Sequence, residues 1–230
     1  MDNIVIGIEG LVGAGKTSIC RRLTEIMPQS VLLNGGNLYR TIVYAMMQSG
    51  KKLDNLKNET NNIDIKSVMD YFNIEIKIEN NETKFYINGE LAQEQDLQSK
   101  EASLAVSEVG GKADNTELFK FARNLINNLK KNYNVIISGR SIMRIYPNTD
   151  YHFFITASLD ERIKRKCIQY KGEVKEEEVR KNILKRDELQ EKAGFYKLHN
   201  ETIQIDVTCC KTVEESTNKV LEKIKLPELL

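Results

Sequence analysis

The chain has 230 residues, 40% of them apolar and 29% charged, with 34 Lys and Arg against 33 Asp and Glu for a formal net charge of +1. A chain of this length buries roughly 70% of its unfolded surface around one substantial core, and its composition excludes collagen-like and disordered classes. The balanced charge argues against a protein that coats nucleic acid or an anionic membrane.

The longest apolar run, Ile4–Ile8, is far below the roughly 20 residues of a membrane-spanning helix. Met1-Asp2-Asn3 has no basic leader, so a cytoplasmic address is expected; nucleic-acid polymers and membranes are not expected as partners, and the chain is expected to be a monomer. Cys20, Cys167, Cys209 and Cys210 form no C-x-x-C pair and have no His at ligand spacing. That pattern predicts buried, reduced thiols in place of a zinc site or a disulfide framework.

Short β-rich runs at Asn3–Ile8, Ser30–Leu33, Asn134–Ile137, Tyr151–Thr156 and Thr202–Asp206 alternate with helical patterns at Thr17–Met27, Leu38–Gln48, Leu118–Asn132, Leu159–Tyr170, Glu176–Lys192 and Val213–Lys225. The alternation predicts an α/β fold with a five-stranded parallel sheet flanked by helices. Ser158-x-x-Glu161 and Thr212-x-x-Glu215 fit reciprocal capping boxes. One segment departs from the rhythm. Ile74–Ile78 and Lys84–Ile87 alternate apolar with polar around Asn80-Asn81, which predicts a β-hairpin inside an inserted lobe at about 63–99. His152 lies within an apolar strand and reads as a packed core residue.

Directly after the first strand stands Gly10-Leu11-Val12-Gly13-Ala14-Gly15-Lys16-Thr17, followed by Ser18. This G-x-x-x-x-G-K-[ST] loop opens a helix, so its backbone N–H groups converge on one concavity at the positive helix end. Such a loop holds the phosphates of ATP, with Lys16 reaching the β- and γ-phosphates and Thr17 placed to ligate Mg2+. The guanine-reading N-K-x-D is absent from the sequence, leaving a kinase of nucleotides or small molecules, or an ATPase. Arg40 and Arg140 each follow a predicted strand, at the sheet edge where α/β folds gather ligands, and a guanidinium there can grip a second phosphate.

The chain resembles bacterial cytidylate kinase, a nucleoside monophosphate kinase family. The resemblance runs through Ile8–Thr17, Leu32-Leu33-Asn34-Gly35-Gly36-Asn37-Leu38-Tyr39-Arg40, the hairpin lobe, Ile137-Ser138-Gly139-Arg140, Ala157–Lys166 and Ile183–Asp187. It implies one P-loop kinase domain that transfers phosphate from ATP to a nucleoside monophosphate, CMP or dCMP. It also implies acceptor binding by Gly35, Gly36, Tyr39, Arg40 and Arg140, a lid near 162–175, and Arg162, Arg165 and Arg186 close to the transferring phosphate.

The chain departs from the family pattern where an aspartate is usual, at Asn34, Ser138 and Ser141, and where an arginine is usual, at Gln98 and Thr116. Ser107, Thr116 and Ser141 then become the expected base readers. Hydroxyls rotate to donate or accept, which predicts weak discrimination between bases. Two alternatives remain open at this point: a deoxynucleoside or other small-molecule kinase, suggested by Ile8-Glu9-Gly10 and Arg140-Ser141, and a nucleotide-binding protein without catalysis, suggested by the missing acids.

Overall fold

The computed structural model describes residues 3–51, 65–97 and 116–225. Its elements in chain order begin with β1 (Val5–Gly10), α1 (Lys16–Ile26), β2 (Ser30–Asn34), α2 (Gly35–Ser49), α3 (Ile65–Phe72), β3 (Ile74–Glu79), β4 (Glu82–Ile87), β5 (Glu90–Leu91) and α4 (Glu94–Leu97). They continue with α5 (Thr116–Lys130), β6 (Asn134–Ser138), α6 (Ile142–Ile145), β7 (Tyr151–Thr156), α7 (Leu159–Gln169), α8 (Glu176–Lys192), β8 (Thr202–Asp206) and α9 (Val213–Leu221). The fold is α/β with mostly parallel strands, and eight strands are present among the described residues: the five expected parallel strands, the expected hairpin pair, and the two-residue β5, which was not expected.

The chain divides into two compact units, one comprising residues 1–3 and 29–135, the other 4–28 and 136–230. In the first, β3 and β4 pair antiparallel from Ile74 opposite Ile87 to Glu79 opposite Glu82. The turn between them is Asn80-Asn81, with φ of 50° and 59°. Two consecutive left-handed residues are what a tight hairpin needs to match strand twist, and asparagine tolerates them. The hairpin is fastened to β2, which runs parallel to β4: the Leu32 N–H donates to the Asn81 carbonyl at 2.8 Å, and the Thr83 hydroxyl donates to the Leu32 carbonyl at 3.1 Å. Leu33, Leu38, Ile42, Phe72, Phe85 and Ile126 fill this unit's core.

In the second unit the strand order is β6-β1-β7-β8. β1 and β7 run parallel with Ile8 opposite Phe153, and β7 and β8 run parallel with Phe153 opposite Ile203. Ile6, Ile8, Ile136, Phe153 and Ile155 are fully buried, so these strands read as unbroken apolar runs because both faces are covered. α7 and α8 form a smaller cluster in which Val12, Ile163, Val179 and Ile183 are buried against Leu159, Cys167, Tyr170 and Val174. Val12 belongs to the phosphate loop, so this cluster ties the loop to both helices.

The capping boxes form only by half. The Ser158 and Thr212 hydroxyls accept from the Glu161 and Glu215 N–H groups at 3.3 and 3.1 Å. The carboxylates do not return the bond to the cap residue: Glu161 accepts from Arg165 Nε, and Glu215 accepts from the Lys211 N–H. In both cases another donor takes the oxygen. The cysteine expectation also needs correcting, since Cys20 and Cys210 are buried while Cys209 is exposed. His152 is buried, as expected of a core residue.

Candidate active site

The phosphate loop leaves β1 at Gly10, whose φ is +144° and whose missing Cβ would lie 2.1 Å from the Ile155 carbonyl oxygen. Only glycine lets the chain turn there, and the turn is fixed by the Leu11 N–H donating to that same Ile155 carbonyl at 3.0 Å. Gly13 and Gly15 also hold positive φ, and Gly15 is the N-cap of α1. The N-cap carries no side-chain hydrogen bond and the first turn of α1 no acidic residue, leaving helix N–H groups and Lys16 to favour an anion. Thr17 and Ser18 are exposed.

The Lys16 ammonium donates to the carbonyls of Gly10 and Leu11, both at 2.8 Å. Burial lowers its pKa from 10.5 to about 8, helped by the positive charges of Arg140 and Arg186. Below Lys16, Cys20 is hydrogen-bonded to the Ser138 side chain, and burial pushes its thiol up to about 12, so it stays protonated.

Two arginines of α7 reach the loop from the side. Arg162 is buried and its Nη1 donates to the Val12 carbonyl at 3.2 Å and to Asp187 Oδ2 on α8 at 2.5 Å. The other oxygen of Asp187 accepts from the Tyr196 hydroxyl at 2.7 Å. Burial raises the pKa of that phenol, and the bond to Asp187 raises it further. Arg165 donates through Nε to Glu161 at 2.9 Å, through Nη1 to the Ala14 carbonyl at 3.1 Å, and through Nη2 to the carbonyls of Val207 and Cys210 at 2.8 and 3.1 Å. Four of the five N–H groups that a guanidinium carries are thereby used on the protein.

Arg186 is exposed on α8 and, with Lys166, Tyr170, Asn182 and Val12, lines a small cleft. Lys166 has its pKa lowered by burial and by the charge of Arg186. Arg140 is exposed, its guanidinium carbon 5.6 Å from the Phe195 ring centroid. α7 ends and α8 begins across a turn in which Lys171 and Gly172 are left-handed.

In the first unit, Gly35 and Gly36 open α2, and Tyr39 and Arg40 follow in its next turn. Tyr39 packs edge-on to Phe119, its hydroxyl is buried with no hydrogen-bond partner among the described residues, and burial raises its pKa. Thr116 opens α5 and is described by its backbone alone, while Ser107 and Gln98 lie outside the described residues.

Each position that lacks an expected aspartate has a local occupation. The Asn34 side chain N-caps α2 by accepting from the Asn37 N–H at 3.2 Å, Ser138 meets Cys20, and Ser141 precedes α6 in the left-handed region at φ 55°. Glu9, Asp187 and Tyr196 are site residues that the sequence reading did not single out. A signal existed for Glu9: it is a lone charge closing an apolar strand directly before the loop.

The family model for cytidylate kinase matches residues 6–226. A cytidylate kinase of Clostridioides difficile strain 630 is 29% identical over 236 residues, spanning 98% of this chain and 100% of that protein. One of Clostridium botulinum strain Langeland is 30% identical over 231 residues, spanning 98% of this chain and 99% of that protein. With the match running through the phosphate loop, both loop-facing helices and the hairpin, this chain belongs to the cytidylate kinase family and is a nucleoside monophosphate kinase.

Proposed function

We propose that the chain transfers the terminal phosphoryl group of ATP to the phosphate of CMP or dCMP, giving the diphosphate. The observation that carries the phosphoryl-transfer reading is the glycine-rich loop at the N-terminus of α1, where Lys16 is held at the Gly10 and Leu11 carbonyls and Arg162 and Arg165 reach the Val12 and Ala14 carbonyls, with Arg140 and Arg186 near enough for their charges to lower the Lys16 pKa. Like charges held together in a half-buried site are unfavourable until a polyanion joins them.

Phosphoryl transfer asks for positioning and charge neutralisation, with no nucleophilic side chain. In this reading the backbone from Gly10 to Ser18 cradles the triphosphate, and Lys16 exchanges its carbonyl partners for phosphate oxygens as transfer proceeds. The exposed Thr17 hydroxyl suits a Mg2+ ion that keeps few protein ligands and draws the rest from water and phosphate. No group of three His, Cys, Asp or Glu side chains is clustered for a metal among the described residues. Bound there, the ion would supply neutralisation between the β- and γ-phosphates.

Arg186 contacts the transferring phosphate, while Arg162 and Arg165 act through the loop carbonyls that they hold. Arg40 and Arg140 take the phosphate of the acceptor, with Tyr39, Gly35 and Gly36 beside Arg40. Residues 162–175 act as a lid that excludes water, within a single kinase domain carrying the lobe at about 63–99. Ser107, Thr116 and Ser141 read the base. No helix among the described residues is long and apolar enough to cross a membrane. A monomer that works on nucleotides in the cytoplasm completes the proposal.

The test is Arg40→Ala and Arg140→Ala, each expected to weaken acceptor binding by about 1.5–3 kcal/mol, the value of a charge-assisted hydrogen bond, with the KM for ATP unmoved. Saturable phosphorylation of free nucleosides, indifferent to either substitution, contradicts the reading and points to a nucleoside kinase.

A further inference from the structure

The segment that carries Arg140 is tied at both ends to consecutive residues of β1. On one side the Gly139 N–H donates to the Ile8 carbonyl at 3.3 Å. On the other, the Ile142 N–H donates to the Glu9 carboxylate at Oε1. Between these two anchors stand only Arg140 and Ser141, the latter in the left-handed region at φ 55°. Ile142 is itself buried and sits close over β1, where a Cβ on Gly7 would come within 2.8 Å of its Cγ2.

Glu9 is 6% exposed, and a carboxylate so placed needs support. The Ile142 N–H supplies that support, and on β7 His152 Nε2 lies 3.6 Å from Glu9 Oε1, beyond hydrogen-bond reach, while His152 Nδ1 lies 2.9 Å from the Thr202 hydroxyl. Thr202 Oγ1 also accepts from the His199 N–H at 3.1 Å. Glu9 is thus bonded to the Ile142 N–H on one side and faces His152 on the other, whose Nε2 is buried without a hydrogen-bond partner among the described residues.

We propose that Glu9 is a positioning residue for the acceptor, holding the Arg140-Ser141 segment in the conformation that presents the guanidinium. It acts through the hydrogen bond to Ile142, with the His152 ring packed beside its carboxylate. The inference rests on the reading of Arg140 as an acceptor-phosphate ligand.

Glu9→Gln keeps an acceptor oxygen for Ile142, whereas Glu9→Met keeps the volume and removes the acceptor. With CMP as the probe, Glu9→Met should raise the acceptor KM about tenfold while the ATP KM and kcat stay within about twofold, and Glu9→Gln should retain values close to those of the parent enzyme. Glu9→Met added to Arg140→Ala should raise the KM no further, because both act on one contact. An unchanged KM in Arg140→Ala overturns the underlying reading and the inference with it. An effect in Arg140→Ala with none in Glu9→Met overturns the inference alone. So do equal losses in Glu9→Met and Glu9→Gln, or a Glu9→Met protein whose thermal midpoint shows that it no longer folds, since either places Glu9 in charge balance or stability instead of presentation.

Discussion

Arg162 on α7 and Asp187 on α8 meet guanidinium to carboxylate at 2.5 Å, and the same Nη1 of Arg162 donates to the Val12 carbonyl inside the phosphate loop. One nitrogen therefore joins two helices to the loop. The Arg162 side chain is 7% exposed and that of Asp187 18%. Removing one partner strands a buried charge, which costs more than the intact pair contributes.

Asp187→Asn should therefore destabilise the protein by about 3 kcal/mol, a fall of roughly 6–12 °C in thermal midpoint for a chain of this size. Turnover should fall with it as the loop loses its side support. A melting curve superimposable on that of the parent protein contradicts the assignment.

Lys16 carries a pH dependence whose sign is fixed by its environment. Its pKa is lowered to about 8, so the ammonium is present below that pH and is lost as the pH rises through it. The kcat/KM for ATP, which reports the free enzyme, should fall above pH about 8. The kcat profile should fall at higher pH, because bound phosphates favour the ammonium. The linked stability runs the other way: between pH about 8 and 10.5 the unfolded chain binds the proton that the folded chain has released, so this group makes the fold more stable as pH rises. Lys16→Ala should cost about 3 kcal/mol of transition-state stabilisation, roughly a hundredfold in rate, while the protein still folds. A Lys16→Ala enzyme with parental turnover contradicts the loop assignment.

Arg165→Ala tests a different role. Because the guanidinium is spent on Glu161 and on the carbonyls of Ala14, Val207 and Cys210, its loss should loosen the phosphate loop and the turn after β8 together. The KM for ATP should rise about tenfold, equivalent to about 1.4 kcal/mol, and Arg165→Lys should recover little, since an ammonium cannot span the same acceptors. Full rescue by Arg165→Lys would show that only the charge matters.

What the sequence revealed of this site follows from the range over which its signals act. The phosphate loop is a local motif, and β1, β6 and β7 are largely apolar runs because both of their faces are covered, so each was legible from consecutive residues. The Asn80-Asn81 turn was equally local. The parallel pairing of β2 with β4 was not, because nothing in the alternation of β4 names its partner. α6 has four residues, too few for helical periodicity, and α3 follows a polar stretch that masks its start. Glu9 and Asp187 gain their roles only through neighbours that the fold supplies: His152 and Ile142 lie 143 and 133 positions from Glu9, and Arg162 lies 25 from Asp187. The carboxylate half of each capping box failed for the same reason, as Arg165 and the Lys211 N–H offered competing donors.

The most direct test of the whole account is a set of specificity constants for CMP, dCMP, UMP, AMP and GMP with saturating ATP and Mg2+. The account predicts diphosphate formed from CMP and dCMP, with discrimination against the other bases well short of about a thousandfold, because adaptable hydroxyls leave fewer buried groups unpaired against a wrong base than a fixed Asp and Arg pair would. A CMP preference of about a thousandfold or more over every non-cytosine acceptor contradicts the reading of the base site. Failure to phosphorylate any of the five contradicts the proposed acceptor altogether.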